Sequence, residues 1–135
     1  LASGCIGDQV SWPIDTLVPG DVYVADIFGK VADGATIGDN LSTSIFAKSG
    51  NGVVHDGSIR DIDGVKEIEG FVGFCRGYHP SVATPTVVLM GINCPVRIGG
   101  VTVMPGLRML ISRNEIPSCG LPSPPVRTNA NIQSA

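Results

Sequence analysis

Residues 38–61 read GDNLSTSIFAKSGNGVVHDGSIRD, and this stretch decides the fold because a helix and a buried strand follow each other within it. Asp39 and Asn40 are both favoured N-cap residues, so the helix begins near one of them. Apolar side chains then recur at helical spacing, and Gly50 ends the helix as a C-cap. The pattern predicts one short helix with an apolar side to bury.

The residues after this helix predict a short buried strand at residues 52–55 and a turn at Asp56-Gly57. If the helix packs back on that strand, the two ends of the stretch meet at one mouth. Asp39 then lies beside Arg60 and Asp61, which gives the mouth two carboxylates, one guanidinium and the free N–H groups of a helix start. Such a mouth suits a divalent metal ion and a small carboxylate substrate.

The rest of the chain predicts a layered α/β domain with a mixed sheet. A turn at Pro19-Gly20-Asp21 leads into a strand over residues 22–27, and a loop runs from residue 33 to residue 38. A second, shorter helix is predicted at residues 64–69. Short apolar runs separated by Gly and Pro then predict strands at residues 71–75, 87–90, 95–98 and 101–104.

Charge, hydropathy and cysteine spacing narrow the class of protein. A chain of 135 residues fits one domain, and its net charge of −3, without a run of Lys or Arg, argues against a nucleic-acid partner. No apolar run approaches the roughly 20 residues that a membrane-spanning helix needs, so no membrane partner is expected. No secretory signal is visible, and no CxxC pair occurs among Cys5, Cys75, Cys94 and Cys119. These features argue against a zinc site and favour a reducing cytoplasm, with a disulfide as the open alternative.

Asp61 is the candidate metal ligand. Mg²⁺ prefers carboxylate and water oxygens and commonly keeps several waters, so one direct carboxylate makes a normal protein site for it. Asp39 would be the second carboxylate and would hold a metal-bound water. The alternative is that Asp61 only caps the helix that follows it, because Asp is a favoured N-cap residue.

Arg60 is the candidate anion-binding residue, because its planar guanidinium matches a carboxylate with two parallel hydrogen bonds. It would hold the carboxylate and the keto oxygen of a 2-oxo acid. The alternative is a structural ion pair with Asp56, Asp63 or Glu67.

Backbone groups and two histidines complete the candidates. Asn40 and Leu41 would act through their N–H groups, since the start of a helix offers unpaired donors and a partial positive charge. His55 follows Val54 on the predicted strand and is expected to pack there or to support a residue that contacts the ligand. His79 lies on a predicted loop, from which it could reach the site.

Three segments together resemble one known family: Gly38-Asp39-Asn40-Leu41, GVVHDGSIRD at residues 52–61 and PVRIGGVTVMPG at residues 95–106. They are similar to the family that holds the regulator of RNase E activity A and the class II 4-hydroxy-4-methyl-2-oxoglutarate aldolases. Its aldolase members carry an Asp, twenty residues and then Arg-Asp, and Asp39 with Arg60-Asp61 meets that spacing. The resemblance covers about residues 17–106.

The resemblance implies a role for each candidate residue. Asp61 matches the family's metal ligand, with Mg²⁺ or Mn²⁺ as the cation, and Asp39 matches the residue that orients metal-bound water. Arg60 matches the pyruvate-binding residue, and residues 38–41 match the segment whose backbone receives the substrate carboxylate. The member that inhibits RNase E departs from the aldolase motif at the Asp39 position, so the presence of Asp39 favours an enzyme.

The resemblance also implies an architecture. It is a β/β/α sandwich of the swivelling-domain type, assembled as a homotrimer or hexamer with the site near a subunit interface. Residues 1–106 would form one aldolase-like domain that lacks the family's N-terminal part. Residues 107–135 match neither the strand nor the helix with which the family ends, and they predict an atypical, poorly ordered tail.

The function predicted in this way is that of a metal-dependent class II aldolase. It would cleave 4-hydroxy-4-methyl-2-oxoglutarate-type 4-hydroxy-2-oxo acids to pyruvate, with oxaloacetate decarboxylase activity as a second reaction. Both reactions pass through a pyruvate enolate, whose charge the metal ion and Arg60 would stabilise. Two alternatives stay open: a ring-shaped, non-enzymatic modulator of an RNA-processing ribonuclease, and an inactive truncated homologue.

Overall fold

The computed structural model describes residues 8–83, 87–110 and 127–134, with side chains described between residues 9 and 107 of those ranges. A 3-10 turn, Asp8–Val10, precedes the helices α1 (Trp12–Asp15), α2 (Asp39–Ser49) and α3 (Ile62–Glu67). The strands are β1 (Asp21–Asp26), β2 (Ala35–Ile37), β3 (Val53–Ile59), β4 (Gly73–Tyr78), β5 (Gly91–Ile92), β6 (Val96–Ile98), β7 (Val101–Val103), β8 (Arg108–Leu110) and β9 (Arg127–Ser134).

The main sheet is mixed and is centred on β1 and β3. Strand β3 pairs in parallel with β4 along one side, and along the other side it pairs first with β1 and then with β2. Strand β9 runs parallel to β1 on its far side, and β5 and β8 join β9 in antiparallel orientation. Because β1 and β3 have neighbours on both sides and layers on both faces, nearly every residue in them is buried.

Each face of the sheet has its own apolar cluster, because successive side chains of a strand point to opposite faces. The helices cover one face, and its cluster contains Ile14, Leu17, Tyr23, Ala25, Ile27, Ile37, Ile45, Val53, Ile59 and Cys75. The β6–β7 hairpin covers the other face, and its cluster contains Val22, Val24, Val54, Val96 and Val103. Helices, sheet and hairpin form the predicted β/β/α sandwich with a mixed sheet.

Helix α2 follows the sequence pattern closely. Gly50 closes it in the left-handed conformation, with φ 72°, and donates its N–H to the Phe46 carbonyl at 2.8 Å. Asp39 is the first helical residue, but the N-cap position falls on Gly38 instead of on Asp39 or Asn40. A glycine at that position leaves space for the side chains of Arg60 and Asp61.

The predicted turn at Asp56-Gly57 is wrong, because β3 continues through both residues as far as Ile59. Neighbouring strands on both sides keep the backbone extended there. The glycine serves a close approach instead, since a Cβ on Gly57 would lie 2.8 Å from the Cβ of Ile27. The Asp-Gly dipeptide is a turn signal only where such neighbours are lacking.

Short strands with distant partners differ most from the sequence pattern. Residues 35–37 fall in the predicted loop yet form β2, and residues 87–90, predicted as a strand, belong to no helix or strand. Two segments of the predicted tail form β8 and β9, whereas residues 111–126 and 135 lie outside the described residues. The predicted domain boundary after residue 106 stays a prediction. No helix in the described ranges is long and apolar enough to cross a membrane.

Candidate functional site

The candidate site comprises Gly38, Asp39, Arg60 and Asp61, and it lies where β2 and β3 end side by side. The two strands are parallel, so their carboxyl ends leave the sheet at the same edge. Arg60, the first residue after β3, donates its N–H to the carbonyl of Ile37, the last residue of β2, at 3.1 Å. This hydrogen bond continues the pairing of the two strands by one residue. The topology thus joins the two ends of the 38–61 stretch, as the sequence predicts.

Gly38 lets the side chains that follow β3 reach the start of α2. A Cβ built on it would lie 2.4 Å from Oδ2 of Asp61 and 3.0 Å from both Cγ and Nε of Arg60. Its backbone is extended, with φ −136°, a conformation open to any residue. The glycine is therefore needed for space, and a methyl group there would displace Asp61.

Asp61 holds an uncommon backbone conformation. Its φ of 54° and ψ of 43° place it in the left-handed region, which Asp tolerates better than most residues but which still costs about 1 kcal/mol. It occupies the N-cap position of α3, yet its side chain makes no capping hydrogen bond. The carboxylate, 44% exposed, points toward Arg60 and Gly38 instead, so the structure disagrees with a capping role.

Arg60 pairs with its neighbour Asp61, with Nε 3.2 Å from Oδ2. None of the three ion-pair partners considered from the sequence takes this place in the described structure: Asp56 pairs with Arg76, Asp63 pairs with Lys66, and no such contact involves Glu67. Both members of the Arg60–Asp61 pair are more than a third exposed, so the contact adds little stability. Its effect is to hold the guanidinium of Arg60 and the carboxylate of Asp61 side by side, next to Gly38.

The side chain of Asp39, the first residue of α2, lies against α3. Its Cβ would be 2.9 Å, and its Oδ2 3.0 Å, from a Cβ built on Gly64, so a second glycine provides the space for this carboxylate. Asp39 Oδ1 accepts the N–H of Asn40 at 2.6 Å. A substrate carboxylate would therefore have to replace Asp39 at the Asn40 amide or bind the amide of Leu41, the next donor in the first turn.

The donor set fits a hard cation with several waters better than a cation held by a full set of protein ligands. Within the described ranges, no group of three or more His, Cys, Asp or Glu side chains is arranged to hold a metal ion. The carboxylate of Asp61 packs against Gly38, and that of Asp39, the next residue, packs against Gly64, so two carboxylates lie near the start of α2. Mg²⁺ commonly binds through one or two carboxylates while it keeps waters. A closed zinc site does not fit, since it needs four ligands.

The two histidines have different surroundings. His55 is buried on β3 at 2% exposure, and its Nε2 lies 2.9 Å from Oγ1 of Thr36 on β2. Burial lowers the pKa of His55 to about 4, although the backbone of Ser58 and the charge of Asp56 act to raise it. His79 begins the loop after β4, and its N–H donates to the carbonyl of Ile59 at 3.1 Å, next to the site.

A polar row on the hairpin face of the sheet escapes the sequence pattern. Asp26 on β1 and Asp56 on β3 are register partners, and Arg76 on β4 binds Asp56 through Nε. This hydrogen bond raises the pKa of Arg76. Asp26 accepts the N–H of Phe28 at 2.8 Å and the N–H of Arg97 at 3.4 Å, which fastens the hairpin to β1. Only the register reveals this row, because its members are about 20 or more residues apart in the chain.

Residues 8–111 match a family model described as RraA-like, Aldolase/RraA. The chain belongs to the RraA-like family. This result confirms the resemblance inferred from the three sequence segments, and the family includes both aldolases and RNase E inhibitors.

A solved structure shows the same RraA-like fold. It is the structure of the RNA-processing inhibitor RraA from Thermus thermophilis, with a TM-score of 0.64 and 23% sequence identity. The match covers 82% of this chain and 66% of the other, so the present chain spans about two thirds of that protein's length. Among curated proteins, none matches this chain. At this identity the likeness establishes the fold, and function has to be argued from the site.

Proposed function

We propose that this protein is a divalent-metal-dependent lyase that releases pyruvate from 4-hydroxy-4-methyl-2-oxoglutarate-type 4-hydroxy-2-oxo acids and decarboxylates oxaloacetate. One observation carries the proposal: Asp61 and Arg60 pack against Gly38 at the carboxyl edge of parallel strands, and Asp39 begins the helix directly after that glycine. That edge is where ligands bind in open α/β sheets. Membership of a family with class II aldolases supports the same reading.

Substrate binding is assigned to Arg60. The contact with Asp61 uses Nε, and the Nη groups form the outer side of the guanidinium fork, toward which a carboxylate and a neighbouring keto oxygen can bind side by side. The side chain is 39% exposed, so a small 2-oxo acid can reach it from solvent. The amides of Asn40 and Leu41, in the first turn of α2, would add hydrogen bonds to a carboxylate.

The reaction needs a group that accepts electrons at the keto oxygen and a group that handles a proton. A divalent cation held by Asp61 supplies Lewis acidity when it is bound. Arg60 places a fixed positive charge beside the oxygen on which negative charge develops as the enolate forms. Asp39 would orient a water that carries the proton, and moving its carboxylate from the Asn40 amide would open that amide for substrate.

The second candidate is a non-enzymatic, ring-shaped modulator of an RNA-processing ribonuclease. Membership of a family that includes RNase E inhibitors supports it, and such a protein needs no metal ion. In either case we propose a homo-oligomer, a trimer or hexamer, as the family resemblance implies. An inactive homologue would share the fold but carry out neither role.

The test measures pyruvate release from oxaloacetate and from 4-hydroxy-4-methyl-2-oxoglutarate with Mg²⁺ or Mn²⁺, after subtraction of the rate without protein. We expect release that EDTA abolishes. Asp61→Asn should reduce the rate at least a hundredfold, because it removes the ligand charge while keeping the size of the side chain. Asp63→Asn is the matched control, since Asp63 is fully exposed two residues further on, and it should keep the wild-type rate.

Equal rates with and without EDTA, or full turnover by Asp61→Asn, would contradict the lyase assignment. A wild-type protein that is folded by circular dichroism but releases no pyruvate would favour the modulator. Binding to the ribonuclease and inhibition of RNA cleavage would then separate the modulator from an inactive homologue.

A further inference from the structure

Strand β2 contains one more residue than its partner at the point where it approaches the candidate site. Ala35 pairs with Ser58 and Ile37 pairs with Ile59, so two steps along β2 correspond to one step along β3. Thr36 is the extra residue of this bulge. Bulges of this kind redirect a chain, and they are common beside active sites.

The bulge is held by side chains from β3. The Oγ1 of Thr36 lies 2.9 Å from Nε2 of His55, and the Oγ of Ser58 donates to the carbonyl of Gly34 at 2.7 Å. Both contacts involve buried side chains of β3, since His55 is 2% exposed and Ser58 is 1% exposed. A polar atom in such a place is costly unless it is paired, so the hydroxyl and the imidazole hold each other.

The register fixed here determines how the site is assembled. After the bulge, the carbonyl of Ile37 accepts the Arg60 N–H at 3.1 Å, and Gly38 packs against Asp61. Without the extra residue, Ile37 would pair one position further along, and Gly38 would move by one residue, about 3.3 Å. The alternation of side chains would also turn Ile37, which is 1% exposed, away from the core.

We propose that Thr36 and His55 form a register clamp that places Gly38 and Asp39 against Arg60 and Asp61. Both are positioning residues: they act through the ends of β2 and β3 and do not touch the substrate. Their part in turnover rests on the proposed lyase function, whereas their part in the register does not. The pKa of His55 is lowered to about 4, so the imidazole stays neutral at physiological pH and the clamp needs no ion pair.

The test compares Thr36→Val, which replaces the hydroxyl by a methyl group of similar size, with Thr36→Ser, which keeps the hydroxyl. Amide hydrogen exchange is followed at Arg60, whose N–H depends on the register. Val53 is the reference, because its N–H donates to the carbonyl of Val72 at 2.9 Å at the opposite end of β3. We expect Thr36→Val to speed exchange at Arg60 at least tenfold relative to Val53, and Thr36→Ser to restore the wild-type ratio.

A second pair of variants tests the other side of the clamp. His55→Gln carries an amide group to the position of Nε2 and should keep the protection of Arg60. His55→Leu fills the space without a polar atom there and should lose it. If Thr36→Val does not fold, the His55 pair makes the same comparison with the same two amides.

In the pyruvate assay, we expect Thr36→Val to lower kcat at least tenfold with a smaller change in KM, because a misplaced group harms the reaction more than the binding. Thr36→Ser should recover kcat. The clamp would be overturned if the ratio of exchange rates at Arg60 and Val53 were unchanged in both Thr36→Val and His55→Leu. It would also be overturned if Thr36→Ser lost as much protection at Arg60 as Thr36→Val. Absence of pyruvate release by the wild type would overturn the lyase function alone, since the exchange ratio is measured without turnover.

Discussion

We expect the stability of this protein to fall in mild acid, because the imidazole of His55 is buried. The ring is 2% exposed on the helix-covered face of β3, with Ala25 and Cys75 as its register partners on either side. Among the side chains that the structure describes, the charged group that acts on its pKa is Asp56, the next residue on the same strand. That charge is already paired with Arg76, so burial dominates and the pKa of His55 falls to about 4.

The sign of the effect follows from proton binding. Well above pH 6.5 the imidazole is neutral in both the folded and the unfolded chain, so it has no effect on the pH dependence there. Between pH 6.5 and about 4 the unfolded chain binds a proton that the folded chain does not, so the free energy of unfolding falls as the pH falls. From pH 7 to pH 5 the loss amounts to about 2 kcal/mol, a large part of the stability of a small domain.

The measurement is urea denaturation followed by circular dichroism at several values between pH 7 and pH 5. The His55→Gln variant removes the titrating ring, so its free energy of unfolding should fall by about 2 kcal/mol less over this range than that of the wild type. Carboxylates contribute equally to both proteins and cancel in the difference.

Parallel curves for the wild type and His55→Gln would refute the reasoning. They would mean that the folded protein accepts the proton on His55 as readily as the unfolded chain.

Three glycine-to-alanine variants test three different physical reasons for a glycine. Gly38→Ala should lower kcat/KM at least tenfold with little loss of stability, because its Cβ would lie 2.4 Å from Oδ2 of Asp61 while its backbone conformation suits alanine. Gly50→Ala should keep kcat/KM and lose about 1 kcal/mol in urea denaturation, because φ is 72° and no atom lies within 4 Å of the new Cβ. Gly52→Ala should lose about 3 kcal/mol or more, or fail to fold, since its Cβ would lie 1.7 Å from the backbone oxygen of Val72. A stable, fully active Gly38→Ala would argue against the site, and a stable Gly52→Ala would argue against the packing of β3 on the segment that enters β4.

Local patterns allowed the prediction of elements that depend on neighbouring residues. Helix α2 ends at Gly50 as predicted, because a C-cap glycine acts within one turn of the chain. The turn before β1 was also predictable, because Gly20, with φ 97°, directs the chain into the strand within a few residues. Strand β2 could not be predicted in this way, since its three residues are held by β3 and by a bridge to Val82, far along the chain.

The site shows the same division. The spacing of Asp39 and Arg60-Asp61 suggested a mouth between them, and the structure places Arg60 and Asp61 against Gly38, the residue before Asp39. The sequence left open whether Asp61 caps a helix, and the conformation of its backbone and side chain answers that question. No local signal marks Thr36 as a bulge, because a bulge exists only relative to a partner strand.

By itself, the sequence of this RraA-like chain determined helix α2, the first half of strand β3, the family, and the chemical types present at the candidate site. These features depend on residue type and on spacing along the chain, and both can be recognised without knowing which strands pair. Only the tertiary structure decided which residues pack against one another: Asp61 against Gly38, Asp56 with Arg76, and His55 with Thr36. The physical reason is that parallel strands pair residues about 20 positions apart or more, and their register is fixed by burial on both faces of the sheet and not by local propensity.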